Sequence, residues 1–196
     1  MKIALYFGSF NPIHNGHLII ANHIVQNENI NELWFVVTPQ NPFKLDKKLL
    51  NANHRYQLIK LAIDGENKLR ASNIEFNLPK PSYTVNTLIY LKEKYPNDEF
   101  VIVMGSDGFG NISKWKNANY ILENYSFFIY KRPGFDIENS IGASIKVIDG
   151  PQLYITSTYI RELIKSKKSI RFLVSDTVKD EIEINNYYNN SLEKET

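Results

Sequence analysis

The sequence has no cysteine among its 196 residues. That absence excludes a disulfide framework, a thiolate metal site and a cysteine nucleophile together. Net charge is scarce too. The 23 Lys and Arg against 21 Asp and Glu leave +2 at pH 7, which gives no basis for a surface that coats nucleic acid. No stretch approaches the roughly 20 apolar residues of a membrane span, and the sequence opens on a short apolar strand rather than a basic, then apolar, leader. The expectation is a cytoplasmic protein with neither membrane nor nucleic acid as partner. What remains is ordinary: 43% hydrophobic and 22% charged residues, enough for one α/β domain with a full core and too short for two large ones.

Short apolar runs alternate with amphipathic stretches. Residues 2–7, 33–38, 99–104, 126–130 and 145–148 read as strands, and 16–27, 53–64, 84–95, 117–123, 157–166 and 176–188 as helices. The first three strands are too uniformly apolar for a sheet wetted on one face. This alternation predicts an α/β fold, a doubly wound (Rossmann-like) parallel sheet flanked by helices, in a single domain. The domain is expected to span 1–188, with 189–196 a polar, frayed tail. Residues 39–52, with Pro39, Pro42 and three lysines, form a longer polar connection that reads as a lid or substrate loop.

The most telling segment is Tyr6-Phe-Gly-Ser-Phe-Asn-Pro-Ile-His-Asn-Gly-His17. A strand that breaks at Gly8-Ser9, turns through Asn11-Pro12 and restarts as a helix at Gly16 leaves free N–H groups at its crest. Such groups and the helix dipole favour phosphate. His14 and His17, three residues apart, can share a face of the first turn and reach one anion. A Gly-Ser turn alone is commonplace in α/β proteins; the whole combination points to nucleotide chemistry.

Three further segments add to it. In Ile155-Thr-Ser-Thr-Tyr-Ile-Arg161, hydroxyl residues precede an apolar helical pattern, as N-caps do. Arg161 lies one turn in, behind free amides at Ser157 and Thr158, and an amide cluster with a guanidinium fork suits a polyphosphate. In Pro81-Ser-Tyr-Thr84, Thr84 reads as the N-cap of a helix packed through Leu88 and Leu91, while Tyr83 and Thr84 can contact a ring and its polar substituent. Gly105-Ser106-Asp107 follows the third buried strand, where an acidic residue accepts from ribose hydroxyls in dinucleotide folds. Trp115, between Lys114 and Lys116, reads as a half-exposed stacking platform. Arg132, ending another strand, can serve a monophosphate, and Lys44 can swing onto a triphosphate. His14 and His17 have no companion carboxylates nearby, so no metal site is expected; a divalent ion, Mg²⁺, is expected to arrive on ATP.

GSFNPIHNGH (8–17), PSYTVNTL (81–88), GSD with the following Trp (105–115), RPG (132–134) and ITSTYIR (155–161) occur in one order. In this they resemble the nucleotidyltransferases with an (H/T)-x-G-H signature, and among them the bacterial nicotinate-nucleotide adenylyltransferases. The resemblance covers residues 1 to about 188. It implies transfer of AMP from ATP to nicotinate mononucleotide, releasing pyrophosphate, in NAD biosynthesis. It further implies that Gly8, Ser9 and Phe10 hold phosphate and that His14 and His17 stabilise the α-phosphate region. Ser157, Thr158 and Arg161 would bind the β- and γ-phosphates, Gly105 and Asp107 approach the ATP ribose, and Lys44 join them. Tyr83, Thr84, Trp115 and Lys116 would surround the pyridine ring, and Arg132 would take the mononucleotide phosphate. Departures are Phe43 where the family commonly has histidine, Asn11 where Asp is frequent, and Thr156 where Ser is common.

Two rival readings stand beside this. One is the same chemistry on nicotinamide mononucleotide, phosphopantetheine or a cytidylyl substrate. The other is a nucleotide- or RNA-binding module without catalysis, because His-x-Gly-His also resembles the ATP signature of class I tRNA synthetases. The near-neutral charge and the lack of room for an anticodon-binding domain argue against RNA. The oligomeric state is left open, a homo-oligomer included.

Overall fold

The computed structural model describes residues 1–42, 49–132, 134–135, 137, 142–151 and 153–189. Six strands, β1 (Lys2–Gly8), β2 (Glu32–Val37), β3 (Leu69–Ser72), β4 (Glu99–Gly105), β5 (Ser126–Tyr130) and β6 (Ile145–Ile148), form one sheet. Their order is β3-β2-β1-β4-β5-β6, and every pairing is parallel. Among the described residues there are seven α-helices: α1 (Asn15–Asn27), α2 (Ala52–Ala62), α3 (Thr84–Lys94), α4 (Ser106–Phe109), α5 (Ala118–Asn124), α6 (Ser157–Lys165) and α7 (Asp176–Ile184). This is the doubly wound parallel sheet that the sequence pattern predicts.

The two-residue period of a strand sorts the core. Ala4, Tyr6, Leu33, Phe35, Val37, Val101 and Val103 face one side, where Ile20 and Ile24 of α1, Leu58 and Ile59 of α2, Ile160 of α6 and Val178 of α7 cover them. Ile3, Leu5, Trp34, Val36, Phe100, Ile102 and Phe127 face the other, under Val85, Leu88 and Leu91 of α3 and Ile121 of α5. Both sets are apolar, so the strands read as continuous hydrophobic runs. The order reverses between β1 and β4, which opens a crevice at their carboxyl ends, the expected ligand position in such a sheet.

The structure corrects several details. The strand β3 is absent from the sequence reading because Leu-Arg-Ala-Ser has no apolar run; it is a four-residue edge strand whose Arg70 lies 4.8 Å above the Trp34 ring. A 3₁₀ turn, Ile74–Asn77, follows it. Thr84 is not an N-cap: Tyr83 occupies that position and makes no side-chain cap bond, while Thr84 is the first helical residue. The last helix stops at Ile184, and Asn186 and Tyr188 take left-handed φ values of 52° and 66°. There the chain folds back, with the Tyr187 hydroxyl 2.8 Å from His54 Nδ1. Apart from Asn189, the proposed tail lies outside the described residues, as do Phe43 and Lys44.

Phe35 links sheet and crevice. It is fully buried, stacks on Tyr6 at 5.8 Å and meets the Phe10 ring edge-on at 5.5 Å. Phe35→Ala is expected to lower unfolding stability by about 3–5 kcal/mol, the usual cost of emptying a buried aromatic site. Urea denaturation measures it, and a loss below about 1 kcal/mol contradicts this role.

Candidate active site

The first motif buries the side chains of Phe10, Asn11, Ile13 and His14. Phe10 adopts a left-handed φ of 46°, and its ring packs against Tyr6 at 5.7 Å and His17 at 5.1 Å. A Cβ on Gly8 would come within 2.8 Å of that ring, so only glycine lets the loop fold over its own phenylalanine. Gly8, Ser9 and Phe10 line the crevice.

Arg55 of α2, almost wholly buried, holds this loop from behind. Its Nη1 donates to the carbonyls of Ser9 and Thr38, Nη2 to Pro39 O at 3.2 Å and Nε to Leu50 O at 2.8 Å. Leu50 N–H donates in turn to Asn11 Oδ1 at 3.2 Å. Sequence reasoning missed Arg55, although Leu58 and Ile59 follow it by three and four residues and place it on the buried stripe of its helix.

His14 is the extended N-cap residue of α1, and its N–H donates to His17 Nδ1 at 3.3 Å. The two rings stack with centroids 3.7 Å apart and planes 25° off parallel. Gly16 makes room: a Cβ there would sit 3.0 Å from His14 Nδ1. Burial drives the His14 pKa down to about 4, with Arg132 adding to the effect. Burial also holds His17 well below the usual imidazole range, helped by the neighbouring His14 and by Arg132. Both rings are therefore neutral at pH 7. Because His17 Nδ1 accepts the backbone N–H, its own proton resides on Nε2, which makes it a hydrogen-bond donor without full positive charge.

The start of α6 closes on the same turn from 150 residues away. Thr156 is its N-cap, accepting from Tyr159 N–H at 3.1 Å. The Ser157 hydroxyl donates to Pro12 O at 2.9 Å, and Arg161 donates to Asn11 O at 2.8 Å and to Thr158 Oγ1 at 3.3 Å. Two helix starts thus meet over one loop.

Beyond β4, Asp107 Oδ1 pairs with Arg132 Nε at 3.3 Å, and Arg132 N–H donates to Ser106 Oγ at 3.0 Å. Tyr83 and Trp115 are half-buried against the second core face, and the Lys116 ammonium lies 4.5 Å over the Tyr83 ring. All these residues line one crevice of about 990 Å³: the backbone loop, His14, His17 and the α6 residues together with Gly105, Asp107, Tyr83, Thr84, Trp115, Lys116 and Arg132. Of the site residues singled out from sequence, only Lys44 falls outside the described residues. Glu75, from the 3₁₀ turn after β3, also lines the crevice and gave no sequence signal.

A family model described as cytidylyltransferase-like matches residues 5–171. The chain belongs to this cytidylyltransferase-like family. Within the cytidylyltransferase-like proteins its relatives are nicotinate-nucleotide adenylyltransferases. One from Cytophaga hutchinsonii, named a probable enzyme of that type, is 48% identical over 97% of this chain and 100% of its own length. The nicotinate-nucleotide adenylyltransferase of Bacillus subtilis is 35% identical over 95% of this chain and 98% of its own. Among solved structures, the Plasmodium falciparum nicotinic acid mononucleotide adenylyltransferase complexed with NaAD superposes with a TM-score of 0.81. It is 26% identical, and the match covers 95% of this chain and 97% of that one.

The neutral imidazoles of this cytidylyltransferase-like chain have a consequence for stability. His14 titrates near 4 in the folded protein against about 6.5 unfolded, so the unfolded state binds protons first as pH falls. The stability is fully present above about pH 6.5 and declines below it. The melting temperature is expected to drop by roughly 5 °C or more between pH 7.5 and 5, with a shallower slope in the H14N/H17N double variant. A flat wild-type profile over that window contradicts the neutral assignment.

Proposed function

We propose that this chain transfers AMP from ATP to nicotinate mononucleotide, forming nicotinate adenine dinucleotide and pyrophosphate, as the names of its relatives state for them. The observation that carries this reading is the convergence of two helix starts, a stacked imidazole pair, Arg161, two half-buried aromatic rings and Arg132 on a single crevice. The helix starts, imidazoles and Arg161 suit a polyphosphate, and the aromatic rings with Arg132 suit a flat ring carrying a phosphate.

In this reading, an oxygen of the mononucleotide phosphate attacks the α-phosphorus of ATP, and the bond to the β-phosphate oxygen breaks. The attacking oxygen is already ionised at pH 7, so no general base is required. Catalysis reduces to aligning two polyanions and stabilising the charge that develops on the α-phosphate. The Gly8–Phe10 backbone receives phosphate, and the His17 Nε2–H and His14 meet the α-phosphate. Ser157, Thr158 and Arg161 take the β- and γ-phosphates. Asp107, near Gly105, accepts from the ATP ribose while its partner Arg132 takes the mononucleotide phosphate. Tyr83, Thr84, Trp115 and the Lys116 region enclose the pyridine ring.

Among the described residues, no cluster of three or more His, Asp or Glu side chains is placed to hold a metal ion. Asp107 is engaged by Arg132. In this reading a Mg²⁺ needed for turnover arrives on ATP, held by phosphate oxygens and water. No described helix is long and apolar enough to cross a membrane.

Pyrophosphate release tests the reading: ATP and Mg²⁺ are incubated in turn with nicotinate mononucleotide, nicotinamide mononucleotide and phosphopantetheine. Turnover is expected with the first and at least about tenfold less with the others; the opposite ranking overturns the acceptor and leaves the reaction class standing. His17→Ala is expected to lower kcat by about 10²-fold or more, the scale of one transition-state donor. A near-normal kcat with only a raised KM sinks the assignment of His17 to the transition state.

A further inference from the structure

Glu75 is 1% exposed and lines the crevice from the 3₁₀ turn Ile74–Asn77, next to the segment that begins α3. Its Oε1 accepts from the Thr87 hydroxyl at 2.8 Å, a bond between two groups that are both almost wholly buried. The hydroxyls of Ser82 and Thr38 come close enough to stabilise the carboxylate, and no cation is among the groups that act on it; burial nevertheless pushes its pKa up. Neither hydroxyl completes a hydrogen bond to Oε2, and Ser82 Oγ, also buried, has no partner either.

A carboxyl group in that position is not what stability alone favours. Replacing a buried polar pair by apolar groups of similar shape is commonly neutral or stabilising, whereas unpaired buried oxygens cost free energy. The cost falls at one particular place. Tyr83 and Thr84 line the crevice, α3 starts at Thr84, and its N-cap residue supplies no side-chain bond. The first turn of α3 is thus held by something other than a cap. Thr87, one turn in, is anchored to Glu75, and Ser82 N–H is tied to Gln40 O at 3.0 Å in the loop after β2.

We propose that Glu75 is a positioning residue for the pyridine mononucleotide: through Thr87 and the Ser82 hydroxyl it sets where the Ser82–Thr84 segment stands against the ring. This rests on the acceptor assigned above. Its hydrogen-bond partner Thr87 belongs to α3, so its effect is expected first on the substrate that α3 faces, although Thr38, which also acts on the carboxylate, donates its N–H to Gly8 O at 2.9 Å in the phosphate loop. The unpaired Ser82 hydroxyl and Glu75 Oε2 are a donor and an acceptor poised to bond when that segment settles on the ring.

The test separates the two substrates. In E75A and in the apolar double variant E75L/T87V, KM for nicotinate mononucleotide is expected to rise about tenfold, while KM for ATP stays within about twofold. E75Q, which keeps an acceptor for Thr87, is expected to restore the mononucleotide KM to within about threefold of wild type. Thermal unfolding of each variant accompanies the kinetics, and E75L/T87V supplies a folded apolar control should E75A not fold. A mononucleotide KM within about twofold of wild type in E75L/T87V overturns the proposal, as does a parallel rise for both substrates. Wild-type enzyme that turns over no nicotinate mononucleotide overturns the acceptor instead, a result distinguishable from either.

Discussion

A buried guanidinium organises the carboxyl edge of this sheet. Arg55 donates to main-chain carbonyls of the β1 loop, the β2 exit and the residue before the N-cap of α2. A buried charge is costly unless its hydrogen bonds are made, so these segments are held in the one arrangement that supplies them. The constraint propagates through the backbone. Leu50, whose carbonyl Arg55 fixes, donates to the Asn11 side chain, and the Asn11 carbonyl receives Arg161. Residues 9, 38, 50 and 161 are in this way locked to one another although little in the sequence ties them together. Lysine could supply the charge but not the fork, and four carbonyl acceptors need the fork.

The same constraint explains how much of the chain was legible. The strand, Gly-Ser turn and His-Asn-Gly-His helix start form a local pattern, in which each residue type answers a neighbour a few positions away. Gly8 yields to the Phe10 ring and Gly16 to the His14 ring, and periodicity placed five strands and six helices to within a few residues. What escaped was non-local. Arg55 looks like a surface arginine until the carbonyls of Ser9 and Thr38 are seen to converge on it. Glu75 sits in a segment with no repeating pattern, and its importance lies in Thr87, twelve residues on. The edge strand β3 was missed because it is covered on fewer sides and has no need of an apolar run. Thr84 was misread as a cap because a hydroxyl before an apolar stripe is the usual signal; the structure leaves that helix start without one, at the wall of the crevice.

The electrostatics of the crevice follow from where its charges are and are not. Arg161 and Arg132 both line it, each already committed in part, to Asn11 O and to Asp107. The paired imidazoles are neutral, because burial and Arg132 oppose a proton on both and His14 opposes one on His17. A polyphosphate set against those rings acts in the opposite sense, since an anion within a few ångströms favours the charged form. The positive charge on the rings is thus small until an anion brings it about, while the donors that the proposed reaction assigns to the anion, His17 Nε2–H and the loop amides, are in place beforehand. In the proposed reaction, a donor already placed against the α-phosphate is strengthened as charge accumulates there, so it would bind the transition state more strongly than the substrate, which is the condition for lowering the barrier.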